Sequence, residues 1–438
     1  MGLKVAKFGG SSLADAAQFQ KVLAILRADS ERRVAVPSAP GKRTSADTKI
    51  TDMLYRCQAM AADGQDFTGQ LSDIRARYEG IVADLGLALD LGVEFEQIAA
   101  QLRGGATADY CASRGEYLSG RVLSAAWDAE FIDAAEVVFF DAGGALDERR
   151  TYDALAARLK AVERAVVPGF YGSMPDGQIK TFSRGGSDIT GALVAWGTGA
   201  DLYENWTDVN GVLAADPRIV RDAATIETIT YRELRELSYM GATVLHEDAI
   251  FPVRKAGIPI HIRNTNDPSH PGTMIIAMAT EQNRPGAITG IAGRKGFSVI
   301  NIEKAMMNSE LGFGRRVLTV LEDHGISFEH LPSGIDTLSV VVESAYLAGH
   351  RAKLLDDLFT AVCPDDVEII DGLALIATVG GGMVRHPGTA ARLFEALARA
   401  HINVRMIDQG SSELNIIVGV VTEDFEGAIG AIYREFVG

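Results

Sequence analysis

Cysteine is scarce in this 438-residue chain: only Cys57, Cys111 and Cys363, far apart in sequence. They offer neither zinc-site spacing nor a disulfide framework, so three reduced and mostly buried thiols are expected. Positive charge is short as well, with 42 Lys and Arg against 58 Asp and Glu, a net charge of −16. Such a chain repels a phosphate backbone as a whole, which argues against nucleic-acid and membrane partners but leaves room for a local phosphate site. No stretch approaches the ~20 apolar residues of a membrane span. The opening Leu3-Lys4-Val5-Ala6-Lys7-Phe8 shows no charged-then-apolar leader, and the expectation is a cytoplasmic protein. Wholesale disorder is excluded by 47% hydrophobic and 23% charged residues.

The length predicts two to four domains, at ~150 residues each. Up to about residue 263 the pattern alternates strands and helices: a strand over Leu3–Phe8, a helical run through Phe19, Val22, Leu23 and Leu26, a strand over Arg33–Ala39. The apolar runs 129–140 and 165–171 read as strands covered on both faces, and Asp176-Gly177 as a hairpin turn. This alternation predicts an α/β fold with a mainly parallel sheet. The Asn-, Pro- and Gly-rich stretch 264–272 reads as the start of a linker. Beyond it lies an internal repeat with an offset of 76 residues (383 − 307), pairing Met307 with Met383, Gly312 with Gly388, Ile326 with Ile402 and Gly334 with Gly410. A duplicated small α+β module is the economical reading. The boundaries expected are 1–265 for the α/β domain, 266–285 for the linker, 286–371 for the first module and 372–438 for the second. The strand near residues 288–292 is expected to join the second module.

Two Gly-pair junctions carry the chemistry. Lys7-Phe8-Gly9-Gly10-Ser11-Ser12 runs from strand to helix: the glycines allow close backbone approach and positive φ, the helix start offers free N–H groups to an anion, and Lys7 adds charge. A plain tight turn with a Ser cap is the competing reading. Phe182-Ser183-Arg184-Gly185-Gly186-Ser187-Asp188 repeats the arrangement, with Ser187 and Asp188 as candidate caps and Arg184 suited to a carboxylate. Trp206-Thr207-Asp208-Val209-Asn210-Gly211, leading to Asp216-Pro217-Arg218, is a turn-rich segment that on its own is an ordinary surface loop. Glu116, taken alone, is any helix-face carboxylate.

Together the KFGGSS opening, Ser38-Ala39, VPGF at 167–170, SRGGSD, WTDVNG and ADPR make the chain resemble the aspartate kinases, of the amino-acid kinase fold. The C-terminal repeat resembles the tandem ACT domains, ferredoxin-like α+β modules, of the same enzymes, most closely at ALIATVGGGM, PGTAARLF and QGSSELNI. The resemblance implies phosphorylation of the L-aspartate β-carboxylate by ATP with Mg²⁺, the entry step to lysine, threonine and methionine. It implies Lys7 and Asp188 as catalytic residues, with Gly9, Gly10, Ser11, Thr207, Asp208 and Arg218 on the nucleotide. Ser38, Thr51, Glu116, Arg184 and Ser187 are implied around aspartate, Glu116 receiving the ammonium and Arg184 holding the α-carboxylate. No direct protein ligation of the metal is expected. For regulation it implies an amino acid, lysine first and threonine second, near Met307, Gly312, Phe313 and Glu329, in a homodimer or homotetramer. A rival reading of that last group is structural, with Met307 and Phe313 as core and Glu329 as solvated surface.

The chain departs from the family pattern at Thr243, where many relatives carry lysine; Arg254 or Lys255 is the candidate substitute. Leu213 stands where an aromatic often follows the nucleotide loop. The segment 39–50 is long, and Lys42 and Arg43 are read as a lid. Two other functions stay open: a kinase of the same fold acting on another small acid, and a non-catalytic amino-acid-sensing ACT protein.

Overall fold

A computed structural model describes residues 2–183, 185–242, 245, 247–279 and 286–438. They divide into two compact units: the described residues of 1–212, 225–231 and 243–279, and those of 213–224, 232–242 and 280–438.

In the first unit the order is β1 (Lys4–Phe8), α1 (Ala16–Arg27), β2 (Arg32–Pro37), α2 (Ile50–Ala62), α3 (Thr68–Asp84), α4 (Gly92–Arg103) and α5 (Ala108–Trp127). Then come β3 (Glu130–Phe131), α6 (Ala134–Val137), α7 (Glu148–Leu159), β4 (Ala165–Val166), β5 (Tyr171–Ser173), β6 (Ile179–Thr181), α8 (Gly186–Thr198) and β7 (Leu202–Thr207). β8 (Thr228–Thr230), α10 (Glu247–Ala256), β9 (Ile260–Asn264) and β10 (Thr273–Ile276) follow, while α9 (Tyr231–Tyr239) falls, from residue 232 on, in the second unit. The sheet runs β3-β4-β2-β1-β7-β9-β10-β8 and is parallel except where β10 meets β9. The pleat sorts the side chains of β1. Ala6 and Phe8 join a core with Phe19, Leu23, Leu54, Tyr78, Leu118 and Trp206, from α1 to α5 and β7. Lys7 faces the other way, toward α8. Because β1 leads to β2 on one side and pairs with β7 on the other, the C-terminal ends of β1 and β7 form a switch point, where open α/β sheets leave a crevice.

Several expectations change. The run 129–140 is not a strand: after two residues of β3, Asp133 accepts a hydrogen bond from the Ala135 amide and starts the short α6. The run 165–171 is interrupted at Phe170, whose φ is +81°, so β4 and β5 are separate. Gly177 (φ +83°) makes the expected hairpin between β5 and β6. The helix after the first Gly pair is capped by Asp15, which accepts from the Gln18 amide, while the Gly pair itself opens a 3-10 turn over Gly10–Leu13. The segment 264–272 returns the chain to the sheet as β10, within the span read as linker. Residues 280–285 lie outside the described residues.

The second unit carries the repeat. β11 (Gly290–Glu303), α11 (Phe313–Asp323), β12 (Thr337–Glu343), α12 (Arg351–Val362), β13 (Asp366–Val379), α13 (Thr389–Arg399), β14 (Met406–Asp408), β15 (Asn415–Val421) and α14 (Phe425–Phe436) build one antiparallel sheet, β12-β11-β13-β15-β14. Gly312 and Gly388, one repeat apart, lead α11 and α13 from the left-handed region (φ +79° and +91°) that glycine tolerates. Two 14-residue strands run through both modules, with Gly296 (φ +94°) and Gly372 (φ +78°) inside them. Residues 297–303 pair with β12, and residues 290–295 pair with 374–379, so the start of β11 completes the second module. Residues 232–239 of α9 belong to this unit. Glu233 accepts from Thr289 Oγ1 (2.8 Å) and the Gly381 amide (2.7 Å), Glu236 from Asn415 Nδ2 (2.7 Å), and Tyr239 donates to Glu329 (2.5 Å).

Close approach, not positive φ, dictates Gly115 in α5: a Cβ there would lie 2.7 Å from the Ala39 Cβ. Gly115→Val is therefore expected to cost about 1–3 kcal/mol by overpacking, read as a lower urea midpoint with the slope unchanged.

Candidate active site

The switch-point crevice is built from four backbone segments that glycines bring together. The Gly9 amide donates to the Trp206 carbonyl (3.0 Å) at the end of β7, and Ser38 after β2 donates to the Phe8 carbonyl (3.0 Å). The Gly41 amide reaches the Gly10 carbonyl at 2.7 Å, an approach no side chain on either residue would allow, since a Cβ on Gly10 would meet the Ala39 carbonyl oxygen at 2.9 Å. Both Gly9 (φ −69°) and Gly10 avoid the left-handed region, so space, not φ, selects them. Gly169 completes the set: its Cβ would stand 2.6 Å from that of Ser187.

Lys7 is the centre. Its side chain is buried, and Nζ lies 2.5 Å from Asp188 Oδ1 and 3.4 Å from Asn205 Oδ1, while Asn205 Nδ2 donates to Asp188 at 2.9 Å. A buried ammonium without such partners is costly. Asp188 lies in the first turn of α8 but does not cap it, and neither does Ser187: the cap is Gly185 (φ +58°), with no side-chain hydrogen bond. The first amides of α8 and of the Gly10–Leu13 turn therefore remain donors for an outside anion, beside the Lys7 charge.

Glu116 forms the second pole. It is buried in the middle of α5, its Oε2 has no hydrogen-bond partner, and burial pushes its carboxyl up to about 8, against a smaller opposing pull from the Ala39 backbone. A sequestered acid with an unused oxygen is where a cationic group fits. Thr51 stands in the first turn of α2, next to Ile50, which with Leu54 packs against Gly115.

Thr207 ends β7 and its hydroxyl donates to Asp208 (3.2 Å), but Arg218 belongs to the other unit, exposed and paired with Asp216 at 2.6 Å. Arg184 and Thr243 lie outside the described residues. Lys255 is engaged with Glu148 (3.0 Å) and so is not a free charge for the site. The supposed lid is pinned: Arg43 pairs with Asp47 (2.8 Å), Asp47 with the buried Arg77 (3.3 Å), and Arg77 donates to the Ala14 and Gly41 carbonyls. The Arg43 hydrogen bond holds the Asp47 carboxyl well below the usual range. In the second unit Met307 and Phe313 are core residues, Glu329 accepts from Tyr239, and Gly312 leads α11. Asn205 was missed by the sequence reading; its signal was its place two residues before Thr207, on the same face of β7.

The profile of the amino acid kinase family matches residues 2–264, and an ACT-domain profile matches residues 376–436. Aspartokinase 3 of Bacillus subtilis is 38% identical over 453 aligned positions, covering 99% of this chain and 98% of its own. Among solved structures, the aspartate kinase of Clostridium acetobutylicum, described as an allosteric enzyme, superposes with a TM-score of 0.90 at 52% identity over the full length of both chains. Aspartokinase III of E. coli, solved with aspartate and ADP, gives 0.72 at 25% identity over 99% of each chain.

The Glu116 geometry sets a pH dependence. Its folded value of about 8 exceeds its ordinary 4.5, so between those limits the folded state holds a proton that the unfolded state has released, and stability falls as pH rises across that window. Glu116→Gln is expected to remove this slope, raising the Tm of the ligand-free protein at pH 9 while changing little at pH 4; thermal scans across that range check it.

Proposed function

The chain belongs to the aspartokinases of the amino acid kinase family, and from that premise we propose that the Lys7 and Glu116 poles are the two ends of its active site. The protein is a kinase that phosphorylates the side-chain carboxylate of L-aspartate with ATP, giving 4-phospho-L-aspartate and ADP, with an ACT-containing regulatory region. The observation that carries the site assignment is the buried, unpartnered oxygen of Glu116, which suits an ammonium, while Lys7 and the open amides suit phosphate.

The chemistry needs little from the chain except placement. An aspartate side chain, with an ordinary pKa of ~3.9, is already ionised at neutral pH. Its oxygen attacks the γ-phosphorus, the bond to the bridging oxygen breaks, and ADP leaves with the electron pair. No general base is required. Two anions must instead be held together, and Lys7 with the first amides of α8 and of the Gly10–Leu13 turn offsets their repulsion. Asp188 and Asn205 orient Lys7 between turnovers. Glu116 takes the ammonium, Ser38, Thr51 and Ser187 line the aspartate, and Arg184 is assigned to its α-carboxylate. Gly9, Gly10, Ser11, Thr207 and Asp208, with Arg218 once released from Asp216, are assigned to the nucleotide.

Mg²⁺ is the expected companion of ATP. The donor set fits a water-mediated ion: Asp188 is a partly exposed carboxylate at the phosphate end. Bound there with the nucleotide, the ion would neutralise phosphate charge. The regulatory ligand is proposed to be an amino acid, lysine before threonine, in a homodimer or homotetramer of the cytoplasm. Among the described residues no helix is long and apolar enough to cross a membrane.

Lys7→Ala should lower kcat by ~10²–10³ while the fold is kept, as read with ATP, Mg²⁺ and aspartate by trapping the acyl phosphate with hydroxylamine; near-normal turnover would relocate the phosphoryl site. For Glu116→Gln, KM for aspartate should rise at least roughly tenfold with KM for ATP unchanged. In the wild type KM for aspartate should climb as pH falls below about 8, because the protonated acid cannot pair with an ammonium. Steady-state rates with lysine and threonine added separately test the regulatory reading; no change in rate or KM with either would refute it.

A further inference from the structure

Arg114 lies on α5 two residues before Glu116, and it is buried. Among the described residues no carboxylate lies within 4.0 Å of its guanidinium. Nε and Nη2 both donate to Ser113 Oγ (3.1 and 3.0 Å), which itself donates to the Tyr110 carbonyl (2.7 Å). Three aromatic rings surround the cation: Tyr110 and Tyr117 from α5, and Tyr171 from β5, with ring centres 4.7, 4.6 and 5.2 Å from the guanidinium carbon. Tyr171 is fixed in turn by its hydroxyl, which donates to Asp133 at 2.7 Å.

A buried guanidinium without a counter-ion is expensive, and an aliphatic residue would fill the space between three rings without that cost. What the aliphatic would lack is orientation. A planar cation attracted to several ring faces has one best position, where a leucine or methionine has several. The rings it joins come from two elements, α5 and the β5–β6 hairpin. The same two elements meet again one strand further on, where Thr181 donates to Asp109 (2.6 Å) and Lys180 pairs with it (3.3 Å). The hairpin then runs through Phe182 directly into residues 183–188, the SRGGSD segment.

We propose that Arg114 is a positioning residue of the aspartate site, holding the β5–β6 hairpin, and through it the start of α8, at a fixed distance from the Glu116 stretch of α5. The inference rests on the reading of Glu116 as receiver of the substrate ammonium. A site that grips the two charged groups on one α-carbon from two elements needs those elements locked together. The charge of Arg114 acts in the same sense, since it favours the ionised form of Glu116. Tyr55 of α2 and Tyr78 of α3 also interact with Glu116, and burial pushes both hydroxyls upward, so they remain neutral.

The test compares Arg114→Met, Arg114→Lys and Glu116→Gln in the full-length enzyme. Arg114→Met should raise KM for aspartate roughly tenfold, leave KM for ATP and kcat at saturating aspartate within about twofold, and move the pH at which KM for aspartate begins to climb upward. Arg114→Lys keeps the charge but not the plane, so the pH break should stay in place while KM rises by a smaller factor. A lower Tm with both KM values and the pH break unmoved would make Arg114 merely structural and overturn the proposal, as would KM for ATP rising in step. Should Arg114→Met fail to fold, the aspartate-to-ATP split in Arg114→Lys decides by the same outcomes. If Glu116→Gln itself leaves KM for aspartate unchanged, the fault lies with the substrate-site reading; if it raises KM while the Arg114 variants do not, the fault lies with Arg114 alone.

Discussion

The ion pair between Lys7 and Asp188 is the constraint from which the rest of the catalytic unit follows. A lysine near the end of a central strand, with its ammonium out of water, demands a carboxylate at contact distance. Supplying one requires α8 to begin directly over the ends of β1 and β7, and hence the Gly185-Gly186 entry, the tight packing of Gly169 on Ser187, and the turn at Phe170 that brings the hairpin across. The glycines at 10, 41, 115 and 169 serve this convergence. Each stands where a methyl group would meet another segment at less than 3 Å.

The two poles differ in how their charge is managed. Lys7 is neutralised before any ligand arrives, so phosphate has to share it with Asp188 and Asn205. Glu116 is left uncompensated on one oxygen, and its charge waits for a partner. Such a site is mismatched by design at the amino-acid end and matched at the phosphate end. Arg114 adds a third solution, a cation set among ring faces, with no carboxylate within 4.0 Å among the described residues.

Much of this was legible in the sequence. Gly-Gly junctions flanked by Lys and by Arg-Ser-Asp can be read because loop chemistry is local, and the module duplication because matching residues recur at one offset. What escaped depended on registers across the sheet. Asn205 earns its place only because β7 lies beside β1 with Asn205 opposite Lys7. The run 129–140 is as apolar as a strand, and only the cap at Asp133 makes part of it a helix. Residues 273–276 join the sheet because a loop that looked like a linker folds back on itself. Met307 and Phe313 resemble ligand-site residues by position and turn out to fill the module core. In the second unit, the contacts of Glu233, Glu236 and Tyr239 connect residues more than 50 positions apart, beyond the reach of any local pattern.

The strands shared between the two modules have a consequence for the order in which the chain can be made. Residues 290–295 leave the ribosome some 80 residues before residues 374–379, the segment they pair with in the finished sheet. Until that segment emerges they form an open edge of backbone donors and acceptors, ready to pair with any neighbouring chain. The second module thus closes around the oldest part of its own sheet, and a nascent chain halted near residue 371 carries an unfinished edge.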